Sequence, residues 1–249
     1  FGTYQKITIL TTAIISISLI SSVSVIPLIH KIGIKFNLID KPDFRKTHKG
    51  KIVRLGGLGI FLGLFFGLLL IYFFKGQLDF LSLEFKDFFL LFIGSFCFLT
   101  IGLIDDLVNL SPYVRLGFQF LLTIILFSQG LRIEAIDITW INKSLNYLEL
   151  NQLSGMIFVA IWVVGLTNAI NWLDGLDSLA SGITLIAIVA LSFIFVTFEK
   201  WELFFICAAY CGAIIGFLRY NVYPAKIMMG DCGSYFIGFY GYLLLWGCF

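Results

Sequence analysis

Asn168-Ala-Ile-Asn171-Trp-Leu-Asp174-Gly-Leu-Asp177 sets four polar side chains at three-residue intervals between two strongly apolar segments. Amides and carboxylates beside hydrocarbon cost several kcal/mol or so, and in membrane helices they mark function or specific pairing. In a helical backbone, three-residue steps keep neighbouring members of such a row within mutual reach. The stretch therefore reads as one wall of an active site inside a helical membrane bundle.

The composition around it agrees. Of the 249 residues, 59% are hydrophobic and 13% charged, and the mean hydropathy is +0.98; a soluble globular chain is excluded. A span needs about 20 mostly apolar residues. Eight are predicted, at about 7–29, 55–74, 87–104, 113–130, 154–170, 179–197, 202–218 and 233–249. The fold class expected is an all-α polytopic membrane protein, one integral membrane domain over 1–249. The first run is too long for the apolar core of a signal peptide and reads as a true span. Alternating Ile136, Ile138 and Trp140 before the polar turn Asn142-Lys143-Ser144 predict a short extracytoplasmic β-hairpin within 131–150. Gly59, Gly63 and Gly67 recur every fourth residue, a pattern for close helix packing in lipid. The five cysteines (Cys97, Cys207, Cys211, Cys232 and Cys248) lie in or beside apolar runs without metal-ligand spacing.

Eight of the seventeen Lys and Arg residues fall between Lys31 and Arg54, in the first loop. Short basic loops stay in the cytoplasm, and parity then carries every second loop to the same side. Eleven of the seventeen lie at that end and six elsewhere. Asp105, Asp106, Asp174, Asp177 and Asp231 all open on this face, as do Lys46 and His48. Scattered helix-end charges have no reason to choose one side. Several carboxylates at a membrane boundary form a hard oxygen set suited to Mg²⁺ or Mn²⁺ rather than zinc. Nearby Lys and Arg suit phosphate oxygens, and a helix starting near Gly230-Asp231 aims its positive end at an anion. These parts suggest phosphoryl-type transfer between a cytosolic anionic substrate and a lipid phosphate.

Four motifs carry a resemblance: Asp40-Lys-Pro-Asp-Phe-Arg45-Lys46-Thr-His48 with Arg54-Leu-Gly-Gly57, Gly102-Leu-Ile-Asp105-Asp106, Asn168 to Asp177, and Met229-Gly-Asp231-Cys-Gly-Ser234. In this order the sequence resembles the polyprenyl-phosphate N-acetylhexosamine-1-phosphate transferases, which include the phospho-MurNAc-pentapeptide translocases. The first motif is closer to the N-acetylglucosamine-1-phosphate branch. The resemblance implies a UDP-N-acetylhexosamine donor, a polyprenyl phosphate acceptor (undecaprenyl phosphate in a bacterium), and UMP as by-product. It implies magnesium ligation by Asp231 and Asn171. Asp105, Asp106, Asp174 and Asp177 would be catalytic carboxylates, with the roles of Asp105 and Asp106 not apportioned. Arg45, Lys46, His48, Asn168, Asn171 and Gly230 would bind substrate. The expected location is the bacterial cytoplasmic membrane, with membrane lipid as surroundings, no nucleic acid partner, and homodimerisation open. Ser178 stands where the family more often has glycine. The family also has two further spans and a histidine-rich loop after the eighth, so the chain is expected to be a piece that stops before them. Rival expectations are an ion-coupled transporter, which would hold carboxylates near mid-membrane, and a non-catalytic lipid-binding subunit.

Overall fold

A computed structural model describes residues 2–39, 52–75, 85–133, 135–137 and 147–246. Among them run eight helices: α1 (Gly2–Lys35), α2 (Gly56–Phe74), α3 (Phe85–Val108), α4 (Pro112–Ser128), α5 (Gln152–Leu173), α6 (Leu179–Thr197), α7 (Trp201–Asn221) and α8 (Gly230–Trp246). Between α4 and α5, β1 (Ala135–Asp137) pairs antiparallel with β2 (Tyr147–Glu149), Ile136 facing Leu148 in register. The all-α class and a strand pairing within 131–150 are thus as expected, while Ile138, Trp140 and the turn Asn142-Lys143-Ser144 lie outside the described residues. The eight helices fall on the eight expected spans, and among the described residues six of them are long and apolar enough to cross a membrane. The others, α4 and α8, have 17 residues each as described, about 26 Å at 1.5 Å per residue.

Local chemistry sets the helix limits. Ser111 caps α4 by accepting from Val114 N–H, with Pro112 at the first turn, and Asn151 caps α5 by accepting from Ser154 N–H at 2.8 Å. The helix of the fifth predicted span runs past its expected end at about 170 and stops at Leu173. Asp174 is its cap, and Ser178 turns the chain with a left-handed φ of 62° before α6 begins. Asn168 and Asn171 are therefore helical, whereas Asp174 and Asp177 belong to the turn.

α8 lies at the centre, packed on α3, α5 and α2, while α1, α2 and α7 form a second tight group. Tyr235, Phe236, Ile237, Phe239, Tyr240 and Tyr242 are all buried, as befits a helix that is apolar all round. In the second group the small-residue row does what its spacing predicts. Gly63 meets the Ser18 carbonyl, Gly67 the Ser18 hydroxyl and Ala209, and Gly212 and Gly216 of α7 close on Ser18 and Ser22 from the other side. Alternating helix direction brings the starts of α2, α4, α6 and α8 to the same end as the finishes of α1, α3, α5 and α7.

Candidate active site

The carboxylates that the sequence places on one face converge in space, and each has a defined partner. Gly230 opens α8 with φ +76°. The first amides of a helix have no acceptor within it; here three of them are met by side chains from other helices. Asp174 Oδ2 accepts from Gly230 N–H at 2.8 Å, and the two oxygens of Asp106 accept from Asp231 N–H at 3.0 Å and Cys232 N–H at 2.9 Å. The positive end of α8 thus faces the chain's own carboxylates.

Such closeness requires glycine. A methyl group on Gly230 would stand 2.0 Å from the Arg54 carbonyl oxygen, one on Gly57 2.2 Å from Gly233 Cα, and one on Gly102 2.2 Å from the Asp231 carbonyl oxygen. The segment entering α2 is stitched to the one entering α8: Met228 N–H donates to Val53 O at 2.9 Å, and Gly56 and Gly57 N–H donate to Met228 O and Met229 O. Two helix starts therefore lie side by side beside the carboxylates.

Asp231 opens α8's first turn, and its Oδ1 accepts from Asn171 Nδ2, which also donates to Ser234 Oγ at 3.0 Å. Asp105 is buried, with Oδ1 on Leu110 N–H at 2.9 Å and Oδ2 on Tyr235 O–H at 2.7 Å and Arg115 Nη1 at 3.4 Å. Asp177 Oδ2 accepts from Ala225 N–H at 2.9 Å and holds the α7–α8 loop. Asn168 turns to α4, donating to Gln119 Oε1 and Val164 O, both at 2.8 Å, so its described bonds join α5 to α4 and to its own preceding turn. Arg45, Lys46 and His48 lie outside the described residues.

Asp174 is buried, and this burial pushes its carboxyl up to about 8, against the opposing pull of Gly230 N–H and the positive charge of Arg54. Among the described residues, no three His, Cys, Asp or Glu side chains gather closely enough to hold a metal unaided. Asp231 is a hard carboxylate donor beside Asn171, whose amide nitrogen faces it; with that amide turned over, its oxygen would join Asp231 in an incomplete shell of the kind that magnesium completes with water and phosphate oxygens.

Sequence reasoning missed four residues here. Arg115, Gln119 and Tyr235 sit on helices whose apolar pattern hides them. Asn221 ends α7 and links three elements: its Oδ1 accepts from Ser178 N–H at 3.1 Å and Ser181 O–H at 2.9 Å, and its Nδ2 donates to Ile227 O at 3.0 Å. The polar Arg219 and Asn221 at the end of a mostly apolar helix were the available signal.

Comparison with known proteins adds an independent line. The profile described as Glycosyl transferase family 4 matches residues 88–246. The chain is similar to a probable undecaprenyl-phosphate N-acetylglucosaminyl 1-phosphate transferase of Bacillus subtilis, 31% identical over 223 residues, covering 90% of this chain and 59% of the relative. It is similar to a phospho-N-acetylmuramoyl-pentapeptide-transferase of Clostridium botulinum, 30% identical over 231 residues (86% of this chain, 65% of the relative). An undecaprenyl-phosphate alpha-N-acetylglucosaminyl 1-phosphate transferase of Thermotoga maritima is 32% identical over 206 residues, 83% of this chain and 55% of the relative. The chain thus spans between 55% and 65% of the length of these relatives.

Proposed function

We propose that this chain, which belongs to glycosyl transferase family 4, carries out the transfer of a sugar 1-phosphate to a polyprenyl phosphate. The donor is a UDP-N-acetylhexosamine, with GlcNAc favoured by the first motif and by the similarity to two N-acetylglucosaminyl 1-phosphate transferases. An oxygen of the lipid phosphate attacks the sugar-bearing phosphorus of the donor, the bond between the two donor phosphorus atoms' shared oxygen and that phosphorus breaks, and UMP leaves. Polyprenyl-diphospho-N-acetylhexosamine is the product.

The observation that carries this reading is the gathering of Asp105, Asp106, Asp174, Asn171 and Asp231 about the buried start of α8, at one end of an apolar bundle. A site at that depth suits an acceptor whose phosphate lies at the membrane surface and whose tail lies in lipid. A transporter fits less well, because its carboxylates would sit near mid-membrane. In phosphoryl transfer, positioning and electrostatic stabilisation do most of the work. Asp106 and Asp174 hold α8's first turn, Asn171 orients Asp231, and Asp177 fixes the loop before it. Magnesium, held by Asp231 with the amide oxygen of Asn171, would neutralise phosphate charge there. The positive charge of the first loop supports a cytoplasmic position for this end, where UDP-sugars are available.

The test is transfer of labelled sugar phosphate from UDP-GlcNAc to undecaprenyl phosphate by the full-length protein, with and without Mg²⁺. A lipid-linked product that requires the metal is expected, with Asp231→Ala lowering kcat by a factor of about 100 or more, the range of a lost transition-state contact. No lipid product would sink the reading. Retained activity in Asp231→Ala would remove the metal assignment alone.

A further inference from the structure

We propose that Tyr235 is a positioning residue for this transfer: through Asp105 it sets the rotation of α8 about its own axis and thereby aims Asp231. The inference rests on the reading of the site as a sugar-phosphate transferase. Asp105 and Asp106 are consecutive at the end of α3, and together they grip α8 at two places one turn apart. Asp106 takes the backbone amides of Asp231 and Cys232. Asp105 takes the Tyr235 hydroxyl at 2.7 Å, with the tyrosine side chain fully buried. Residues 231 and 235 lie four apart, on one face of the helix.

The bonds to the first turn fix where α8 begins; the Tyr235 bond adds an attachment one turn further on, from the same end of α3. Asp105 can serve as the fixed post because its own position is overdetermined. Leu110 N–H holds one oxygen, and Arg115, reaching from α4, shares the other with Tyr235. The Arg115 guanidinium also lies over the Tyr235 ring, 6.0 Å from its centre, so α3, α4 and α8 meet at this one carboxylate. A side-chain tip about 5–6 Å from a helix axis moves about 1 Å for a 10° rotation, and a misplacement of about 1 Å can cost about 100-fold in rate.

Tyr235→Phe removes the hydroxyl while keeping the ring. Tyr242→Phe is the matched control: the same helix, an equally buried ring, and a hydroxyl that donates at 3.2 Å to Leu131 O far from the carboxylates. Both variants of the full-length protein would be assayed for transfer and melted in detergent. Tyr235→Phe is expected to lower kcat by about 10- to 100-fold, to leave both KM values within about twofold, and to melt like Tyr242→Phe, whose kcat stays at the unaltered level. Turnover of Tyr235→Phe at the unaltered rate overturns the proposal. An equal fall in Tyr242→Phe does so too, as does a loss lying wholly in KM. Absence of transfer by the unaltered protein overturns the functional reading and the positioning role with it, whereas an active protein indifferent to Tyr235→Phe overturns the positioning role alone.

Discussion

Gly67 and Gly57 lie ten residues apart on α2, and each stands where a methyl group would collide, but the colliding atoms differ in kind. At Gly67, within the bundle, the nearest are the Ser18 hydroxyl at 2.2 Å and the Ala209 methyl at 2.7 Å, both side-chain atoms. At Gly57, beside the carboxylates, they are Cα and N of Gly233, both at 2.2 Å, which belong to the backbone of α8's first turn. The inner glycines let helices pack. The outer ones let two helix starts come close enough for the amides of Gly56 and Gly57 to reach the carbonyls of Met228 and Met229 that lead into α8. Adding one carbon should therefore damage packing in the first place and the site in the second.

The largest effect is expected for Gly57→Ala. No side chain can yield, so α8 must shift, and sugar-phosphate transfer should fall by about 100-fold or more, as for a reacting group displaced by about 1 Å. A variant with normal turnover would erase the distinction. Gly67→Ala should cost about 1–3 kcal/mol of stability, the usual scale of overpacking, with kcat per folded molecule unchanged. Adding Ser18→Ala should return part of that stability, which detergent melting would register; a kcat that falls with the melting temperature would break the contrast. The smallest effect belongs to a position where glycine is absent and the backbone favours it. Ser178 holds φ 62°, compensated by its amide on Asn221 Oδ1 and its hydroxyl on Asn221 O at 3.3 Å. Ser178→Gly relieves the strain and loses the hydroxyl bond, so melting should show a net gain of no more than about 1 kcal/mol. A clear loss would mean that the Asn221 contacts outweigh the backbone preference.

Much of this architecture was legible in the chain. Apolar runs broken by short polar segments mark the helices, and because each polar group stands at a helix end, counting crossings brings Asp105, Asp106, Asp174, Asp177 and Asp231 to one side. Individual partners were not legible, since hydrogen bonds of α8's start reach across 125 and 126 residues to Asp106. The predicted span of about 154–170 ended before Asn171. The helix instead stops at Leu173, and Asp174 and Asp177 turn to different partners, Gly230 and Ala225. Asn168, read with its neighbours as part of the site, spends its described bonds on α4 and its own helix. Tyr235 offered no linear cue, because a buried tyrosine in an aromatic helix looks like packing until its hydroxyl is seen 2.7 Å from Asp105.

The pairing of Asp106 with the start of α8 also imposes an order on the protein's birth. Asp106 leaves the ribosome 125 residues before the first amide it will hold, an interval of about 6–25 s at ordinary translation speeds. Throughout that time α3 carries two adjacent carboxylates at its tip with no mate on α8. An unpartnered charge is tolerated where water reaches it and resisted in hydrocarbon. Until α8 arrives, an unpaired Asp106 therefore favours the aqueous boundary for the end of α3, whereas Asp105 already has Leu110 N–H and Arg115 close by in the chain.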